Sequence, residues 1–203
     1  MWRWLVSRRE RQDHRKLRAW LAAGRPIPAP SVAKHMVIRE YAERHGLGTL
    51  VETGTYLGST LKAVRDNFHR IYSIELDDTL HARARARFAA FPHIALLHGD
   101  SGEVLPGLLS RIGEPSLFWL DGHFSGGQTA KGRLATPIVA EMQAILAHPT
   151  DGHIILVDDA RALGTLPDYP SLDELRALVA AHNPRLTFEV RDDIIRIHPP
   201  HGY

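Results

Sequence analysis

The chain of 203 residues has the length of one domain, and its 44% hydrophobic and 24% charged residues are typical of a soluble globular protein. This composition excludes intrinsically disordered and fibrous proteins, and no apolar stretch is long enough for a membrane span. Because the chain lacks cysteine, it can hold no disulfide, thiolate zinc site, iron–sulfur cluster or cysteine nucleophile. Any metal must therefore bind through oxygen or imidazole ligands.

Basic residues are concentrated at the start of the chain. The first 20 residues carry seven basic and two acidic side chains, whereas the remainder carries 18 basic and 21 acidic ones. Since this remainder is mildly acidic, we expect no nucleic-acid partner. The basic arm has two interpretations: an amphipathic helix that contacts an anionic membrane surface or a protein, or a helix that caps the core. We expect a cytoplasmic protein that is either free or peripheral at a membrane.

An extended linker is predicted after the arm. Pro26, Pro28 and Pro30 stand at alternate positions, and proline disfavours helix because it lacks the amide hydrogen. We therefore divide the chain into a basic arm with a proline-rich linker, residues 1–30, and one folded domain, residues 31–203.

After a helix predicted from Ser31 to about His45, short apolar runs alternate with helical stretches. Five continuous apolar runs predict strands buried on both faces: 49–51, 71–74, 94–97, 117–120 and 154–157. Helices are predicted between them over 59–68, 78–91, 101–109 and 136–147. A last helix near 171–181 precedes two strands, 186–190 and 194–198, whose short connection requires an antiparallel hairpin. The fold class is thus a doubly wound, Rossmann-like α/β sheet of seven strands, mostly parallel, with an antiparallel C-terminal hairpin.

Each of the five apolar runs is followed by an acidic residue, namely Glu52, Glu75, Asp100, Asp121 and Asp158. Ligands of a parallel sheet bind beyond the carboxyl ends of the strands, where the strand order reverses. Five carboxylates that converge there repel one another unless a cationic or hydrogen-bond-donating ligand lies between them. Each acid alone is equally suited to cap the next helix, but together they predict a binding site.

The first loop, residues 52–59, follows a strand and opens a helix. Gly54 permits a tight turn and close approach to a ligand, Gly58 permits close packing, and the helix N-terminus offers unpaired N–H groups. A dinucleotide site requires the three glycines of G-x-G-x-x-G, so pyrophosphate fits this loop poorly. Glu52 suits an ammonium group and the helix N-terminus suits a carboxylate. The loop therefore predicts an amino acid moiety.

The next two strand ends complete this ligand. Glu75 stands where a carboxylate accepts both hydroxyls of a ribose, and Asp100 with Ser101 can address the edge of an adenine. An amino acid, a ribose and an adenine together make S-adenosylmethionine.

Five segments resemble, in order, the motifs of the class I S-adenosylmethionine-dependent methyltransferases. They are residues 50–58, 73–75, 98–101, 119–123 and 156–159, and the resemblance spans about residues 48–198. It implies that the methionine end, the ribose and the adenine would be held by Glu52, Gly54, Thr55, Tyr56, Ser59, Glu75, Asp100, Ser101 and Asp121.

Three carboxylates, Asp121, Asp158 and the adjacent Asp159, follow the fourth and fifth strands, and such a set suits Mg²⁺, Mn²⁺ or Ca²⁺. The arrangement is similar to the metal-dependent O-methyltransferases of the catechol and macrolide-sugar types. The acid pair fits the sugar type better, since the catechol type has asparagine where Asp159 stands. By this resemblance a divalent ion, Mg²⁺ first, would bind two acceptor oxygens and lower the pKa of one. Strand-end capping or hydrogen bonding to substrate is the alternative role.

Asp121 and His123 are the candidate catalytic residues, and His123 is the candidate general base because imidazole accepts protons near neutral pH. It is equally a candidate fourth metal ligand or a structural histidine. The glycine-rich segment 124–132 is predicted to be a lid, in which Lys131 faces either an anionic substrate or solvent. Arg161 either clamps substrate or forms a local salt bridge.

The sequence predicts methyl transfer from S-adenosylmethionine to an oxygen of a small hydroxylated acceptor, such as a sugar, a glycan precursor or a secondary metabolite. It does not decide the acceptor, transfer to oxygen rather than nitrogen or carbon, or whether the chain forms an oligomer. An NAD(P)-dependent oxidoreductase and a non-catalytic nucleoside-binding module are the alternatives. The two-glycine loop disfavours the first, and the intact acids at 121, 158 and 159 disfavour the second.

Overall fold

The fold is given by a computed structural model that describes residues 8–122, 136–166 and 168–200. Within these ranges, helices pack on both faces of a sheet of seven strands. The strands are β1 (Thr49–Thr53), β2 (Arg70–Glu75), β3 (Ile94–His98), β4 (Leu117–Leu120), β5 (Ile154–Val157), β6 (Thr187–Arg191) and β7 (Ile194–His198). The α-helices are α1 (Arg8–Ala22), α2 (Ser31–His45), α3 (Ser59–Val64), α4 (Asp78–Phe88), α5 (Ser101–Leu109), α6 (Ile138–Leu146) and α7 (Leu172–His182). Short 3₁₀ turns cover Arg65–Asn67 and Ala160–Ala162.

The strand order is β3-β2-β1-β4-β5-β7-β6, with β1 to β5 parallel and β7 antiparallel to both of its neighbours. This order confirms the predicted fold class. The chain direction across the sheet reverses between β1 and β4, which is the switch point where ligands of such sheets bind. The hairpin of β6 and β7 turns on Asp192 and Asp193, both with positive φ (56° and 65°), as in the two-residue turns that match strand twist.

The apolar strands are continuous because both faces of the sheet are covered. In β4, Leu117 and Trp119 pack with α2, α3 and α4, whereas Phe118 and Leu120 pack with α5, α6 and α7. All four side chains are buried, and each contributes roughly 1.5–3 kcal/mol of burial free energy. This double burial fixes the strand ends rigidly at one edge of the sheet.

The N-terminal helix α1 contacts the rest of the chain near its end. Trp20 packs with Leu17, Ala29 and Ala33, and its indole Nε1 donates a 2.8 Å hydrogen bond to the carbonyl of Pro26. None of the helices in the described ranges is both long and apolar enough to cross a membrane. The division into an arm and one domain stays a prediction.

Candidate active site

The loop after β1 is pressed against the end of β4. Gly54 has φ +83°, and its amide donates to the carbonyl of Ile74 on β2 at 3.0 Å. A Cβ atom on residue 54 would lie 2.4 Å from the backbone oxygen of Asp121. Glycine is therefore required both by the backbone conformation and by the close approach of the two strand ends. The loop therefore lies at the switch point, in close contact with the end of β4.

Glu52 lies buried beneath this loop, 1% exposed. Ser73 Oγ donates to Glu52 Oε2 at 2.5 Å, and Thr55 Oγ1 lies 2.6 Å from Ser73 Oγ. Burial raises the pKa of Glu52 to about 8; Ser73 acts in the opposite direction, and nearby Asp121 adds to the increase. The carboxyl therefore holds a proton at neutral pH in the ligand-free chain. Its predicted pairing with an ammonium group stays a prediction.

Glu75 at the end of β2 is oriented by two backbone amides. Its Oε2 accepts from the amide of Tyr56 at 2.7 Å and its Oε1 accepts from the amide of Asp77 at 2.9 Å. Each carboxylate oxygen keeps a further lone pair, so both can still accept from a ribose. The Tyr56 side chain is exposed, as is Ser59 at the start of α3.

Asp100 and Ser101 follow β3. Asp100 caps α5, since its Oδ1 accepts from the amide of Gly102 at 2.9 Å, which is the capping role that the sequence leaves open. The amide of Gly99 donates to the carbonyl of Glu75 at 3.0 Å, so Asp100 follows directly at the same edge as Glu75. The structure thus brings the predicted ribose and adenine residues together.

Thr53 and Ser101 are buried on either side of Gly122. A Cβ atom on residue 122 would lie 3.1 Å from Thr53 Oγ1 and 3.3 Å from Ser101 Oγ. The hydroxyl of Thr53 is buried and has no hydrogen-bond partner among the described residues. Thr53 and Ser73 are not among the predicted site residues, although each stands in one of the five segments that resemble methyltransferase motifs. Asp121 is half-buried, and its backbone amide extends the pairing of β4 with β1 by donating a 3.1 Å hydrogen bond to the carbonyl of Thr53.

The acid pair after β5 is bound to a lysine that the sequence analysis does not identify. Lys34 of α2 places its Nζ 2.5 Å from Asp158 Oδ2 and 3.0 Å from Asp159 Oδ1. Burial lowers the pKa of Lys34, but the two aspartates outweigh burial and raise the pKa above its ordinary value, so the ammonium stays charged. Arg161 Nη1 lies 2.8 Å from Asp159 Oδ1 and also pairs with Asp193, which is the local salt bridge left open for it.

As it stands, the acid pair does not fit a divalent cation, because a positively charged group already lies between the two carboxylates. Within the described ranges, no group of three or more histidine, aspartate or glutamate side chains is arranged to hold a metal ion. The predicted ligand set Asp121, Asp158 and Asp159 is therefore not supported as a metal site.

The predicted base His123 and the lid, including Lys131, lie outside the described residues.

A small cavity adjoins the acid pair at the ends of β4 and β5. Its lining includes Gly122, Thr136, Asp158, Asp159 and Tyr169. The cavity lies beyond the carboxyl ends of the strands, on the β5 side of the switch point, whereas the loop after β1 lies on the β2 side. The cavity and the loop therefore lie on opposite sides of the switch point.

No protein-family model matches the sequence, and no curated protein matches it. Solved structures do resemble the fold. The O-methyltransferase from Bacillus cereus, in complex with SAH, has a TM-score of 0.63 at 16% identity, over 96% of this chain and 93% of that one. The O-methyltransferase TomG from Streptomyces achromogenes, in complex with SAM, has a TM-score of 0.62 at 17% identity, over 97% and 93%. The SAH-bound methyltransferase PaMTH1 from Podospora anserina has a TM-score of 0.59 at 18% identity, over 98% and 100%.

These identities are low, so the resemblance concerns the fold. Together with the strand order and the loop after β1, it confirms the predicted architecture: the chain has the fold of the class I S-adenosylmethionine-dependent methyltransferases.

Proposed function

We propose that the protein is an S-adenosylmethionine-dependent methyltransferase that methylates an oxygen of a small hydroxylated acceptor. The observation that carries this proposal is the closure of the Gly54 loop against Asp121 at the switch point, beside the backbone-oriented carboxylate of Glu75. The SAM- or SAH-bound neighbours described above support it, since the same fold holds that nucleoside in those proteins.

The cofactor would lie along the ends of β1, β2 and β3. The methionine end would meet the loop between Glu52 and Ser59, and the ribose hydroxyls would donate to Glu75. The adenine would lie by Asp100 and Ser101. Asp121, in backbone contact with Gly54, would lie next to the methionine end.

The acceptor would bind at the carboxyl ends of β4 and β5, where the small cavity beside Asp158 and Asp159 lies. During transfer, the acceptor oxygen forms a bond to the methyl carbon as the carbon–sulfur bond breaks, and S-adenosylhomocysteine leaves. The hydroxyl proton passes to His123 or Asp121, the two predicted catalytic residues. Catalysis is then mainly alignment of the two reactants together with removal of this proton. No step is assigned to a divalent ion, because Lys34 holds the acid pair.

The arm is proposed to contact an anionic partner. In α1 the side chains of Arg11, Arg15, Lys16 and Arg18 are exposed, while Trp20 faces the domain. This division leaves a basic outer surface on the helix, which suits an anionic membrane surface or an acidic protein.

Titration calorimetry with SAH, and in parallel with NADH, tests the proposed function. We expect SAH to bind and NADH to give no heat beyond dilution. Binding of NADH without SAH would favour the oxidoreductase. Incubation with methyl-labelled SAM and a panel of sugars and phenols then separates a transferase from a nucleoside-binding module, which would bind SAH and transfer no label.

A further inference from the structure

We propose that Lys34 is the resident cation of the acid pair after β5, with its ammonium between Asp158 and Asp159, where the sequence predicts a divalent ion. The lysine belongs to the first turn of α2, outside the sheet, and reaches both carboxylates at 2.5 and 3.0 Å. Its position as a cation between the two acids stands on geometry alone. That methyl transfer proceeds without a divalent ion at this position rests on the proposed function.

The burial of the acid pair favours a cation at this position. The side chain of Asp158 is 2% exposed and that of Asp159 is 16% exposed, so water screens neither well. Two adjacent carboxylates in such surroundings repel each other strongly unless a positive charge lies between them. Lys34 supplies that charge to both acids, and Arg161 adds a second contact to Asp159.

The ammonium and a divalent ion exclude each other. An ion placed between the two carboxylates would displace the ammonium from Asp158 Oδ2 and Asp159 Oδ1, because two cations a few ångströms apart repel each other. A divalent ion could enter only after Lys34 had withdrawn, which would break both of its ion pairs. The geometry therefore points to a site that works without an added metal.

Lys34 approaches the acid pair from α2 and is not among the residues that line the cavity beside Asp158 and Asp159. The ammonium therefore compensates the charge of the two acids, and no contact with the acceptor is assigned to it.

A metal titration of the full chain tests this inference without any methyl acceptor. Mn²⁺ binding is followed by the electron paramagnetic resonance of the free ion in four proteins: wild type, Lys34→Ala, Lys34→Ala/Asp158→Asn, and Lys62→Ala. Lys62 is an exposed lysine of α3 and serves as the matched control. We expect Lys34→Ala to gain one Mn²⁺ site that the added Asp158→Asn removes. Wild type and Lys62→Ala should lack this site.

Two results would overturn the inference. One is a Mn²⁺ site in the wild type that Asp158→Asn abolishes. The other is no gain of a site in Lys34→Ala that is folded by circular dichroism. If Lys34→Ala does not fold, Lys34→Gln takes its place in the titration. If neither variant folds, Mn²⁺ binding is compared between wild type and Asp158→Asn, and a site that only wild type has overturns the inference. SAH calorimetry on the wild type tests the proposed function, and the Mn²⁺ titration tests the role of Lys34. Each proposal can therefore fail while the other stands.

Discussion

Ser73 Oγ donates a 2.5 Å hydrogen bond to Glu52 Oε2 beneath the loop that follows β1, and this bond joins the first two strands of the site. The acceptor is a fully buried carboxyl whose pKa is raised to about 8, chiefly by burial. A protonated glutamic acid beneath the loop after β1 makes the free energy of unfolding depend on pH. By the proposed function, it also links SAH binding to the release of a proton.

The first prediction concerns the pH dependence of folding. Glu52 has an ordinary pKa of 4.5 when unfolded and about 8 when folded, so the folded chain retains the proton more strongly. Stability from this group is therefore fully present below about pH 4.5 and is lost as the pH rises through about 8. Between these values the free energy of unfolding of wild type should fall, relative to that of Glu52→Gln, by up to several kcal/mol.

Urea unfolding at several pH values between 5 and 8.5 measures this difference. Glu43→Gln, which changes an exposed glutamate of α2, is the control and should run parallel to wild type throughout. A constant difference between wild type and Glu52→Gln across the range would contradict the raised pKa.

The second prediction links the same proton to the cofactor. A bound ammonium group favours the charged form of Glu52 and so lowers its pKa, which releases a proton near neutral pH. SAH carries that ammonium group without the sulfonium charge. We expect calorimetry in buffers of different ionisation enthalpy to show proton release on SAH binding at pH 7. Glu52→Gln should lose most of that release; an unchanged release would show that Glu52 does not meet the ammonium group.

The third prediction concerns the closeness of β1 and β4. Gly54→Ala places a Cβ atom 2.4 Å from the Asp121 carbonyl at a φ of +83°, so the loop must move away from the strand end. We expect SAH affinity to fall by more than about tenfold and stability to fall by about 1 kcal/mol or more. Calorimetry and thermal unfolding measure the two effects.

Gly107→Ala is the matched control for this substitution. Gly107 lies inside α5, and a Cβ atom there meets nothing within 4 Å. Alanine at a helical position favours folding by roughly 0.5–1 kcal/mol, so Tm should rise while SAH affinity is unchanged. Equal effects of the two substitutions on SAH affinity would remove the argument for a close approach at residue 54.

The fourth prediction concerns the carboxylate of Glu75. Hydrogen bonds to a charged group contribute about 1.5–3 kcal/mol, so Glu75→Ala should weaken SAH binding by roughly 10- to 100-fold. Glu75→Gln keeps one acceptor oxygen and should give an intermediate Kd. Adenine alone, which lacks the ribose, should bind equally to all three proteins. Loss of adenine binding in Glu75→Ala would instead indicate a collapsed loop, since Glu75 also accepts from the amides of Tyr56 and Asp77.

The fold could be predicted because the apolar pattern of each strand agrees with its burial in the sheet. A strand covered on both faces must be apolar at every position, so Leu117–Leu120 is recognisable from four residues alone. Gly54 was identifiable for a similar reason, since an acid and a glycine directly after a strand are typical of a ligand-binding turn. The parallel strands then bring Glu52, Glu75 and Asp100 to one edge.

The contact of Lys34 with the acid pair could not be predicted in this way. It joins residues more than 120 positions apart, and a single lysine in the first turn of a helix has no periodicity or motif around it. The three aspartates suggest a metal because the sequence reveals their charge but not the cation that compensates it. Only the packing of α2 places an ammonium group there.

The last prediction concerns the arm. Lysine and arginine near an anionic bilayer contribute roughly 1 kcal/mol each, so Arg15→Glu/Lys16→Glu should lower binding to phosphatidylserine vesicles by at least about tenfold. The control Arg83→Glu/Arg85→Glu makes the same change of charge on exposed positions of α4 and should bind like wild type. Sedimentation with vesicles, repeated at high salt, measures both, and binding should weaken as salt screens the charges. Two results would show that the arm does not contact a membrane: wild type does not bind anionic vesicles, or the α4 variant loses as much binding as the α1 variant. An acidic protein would then be the remaining partner for the basic surface of α1.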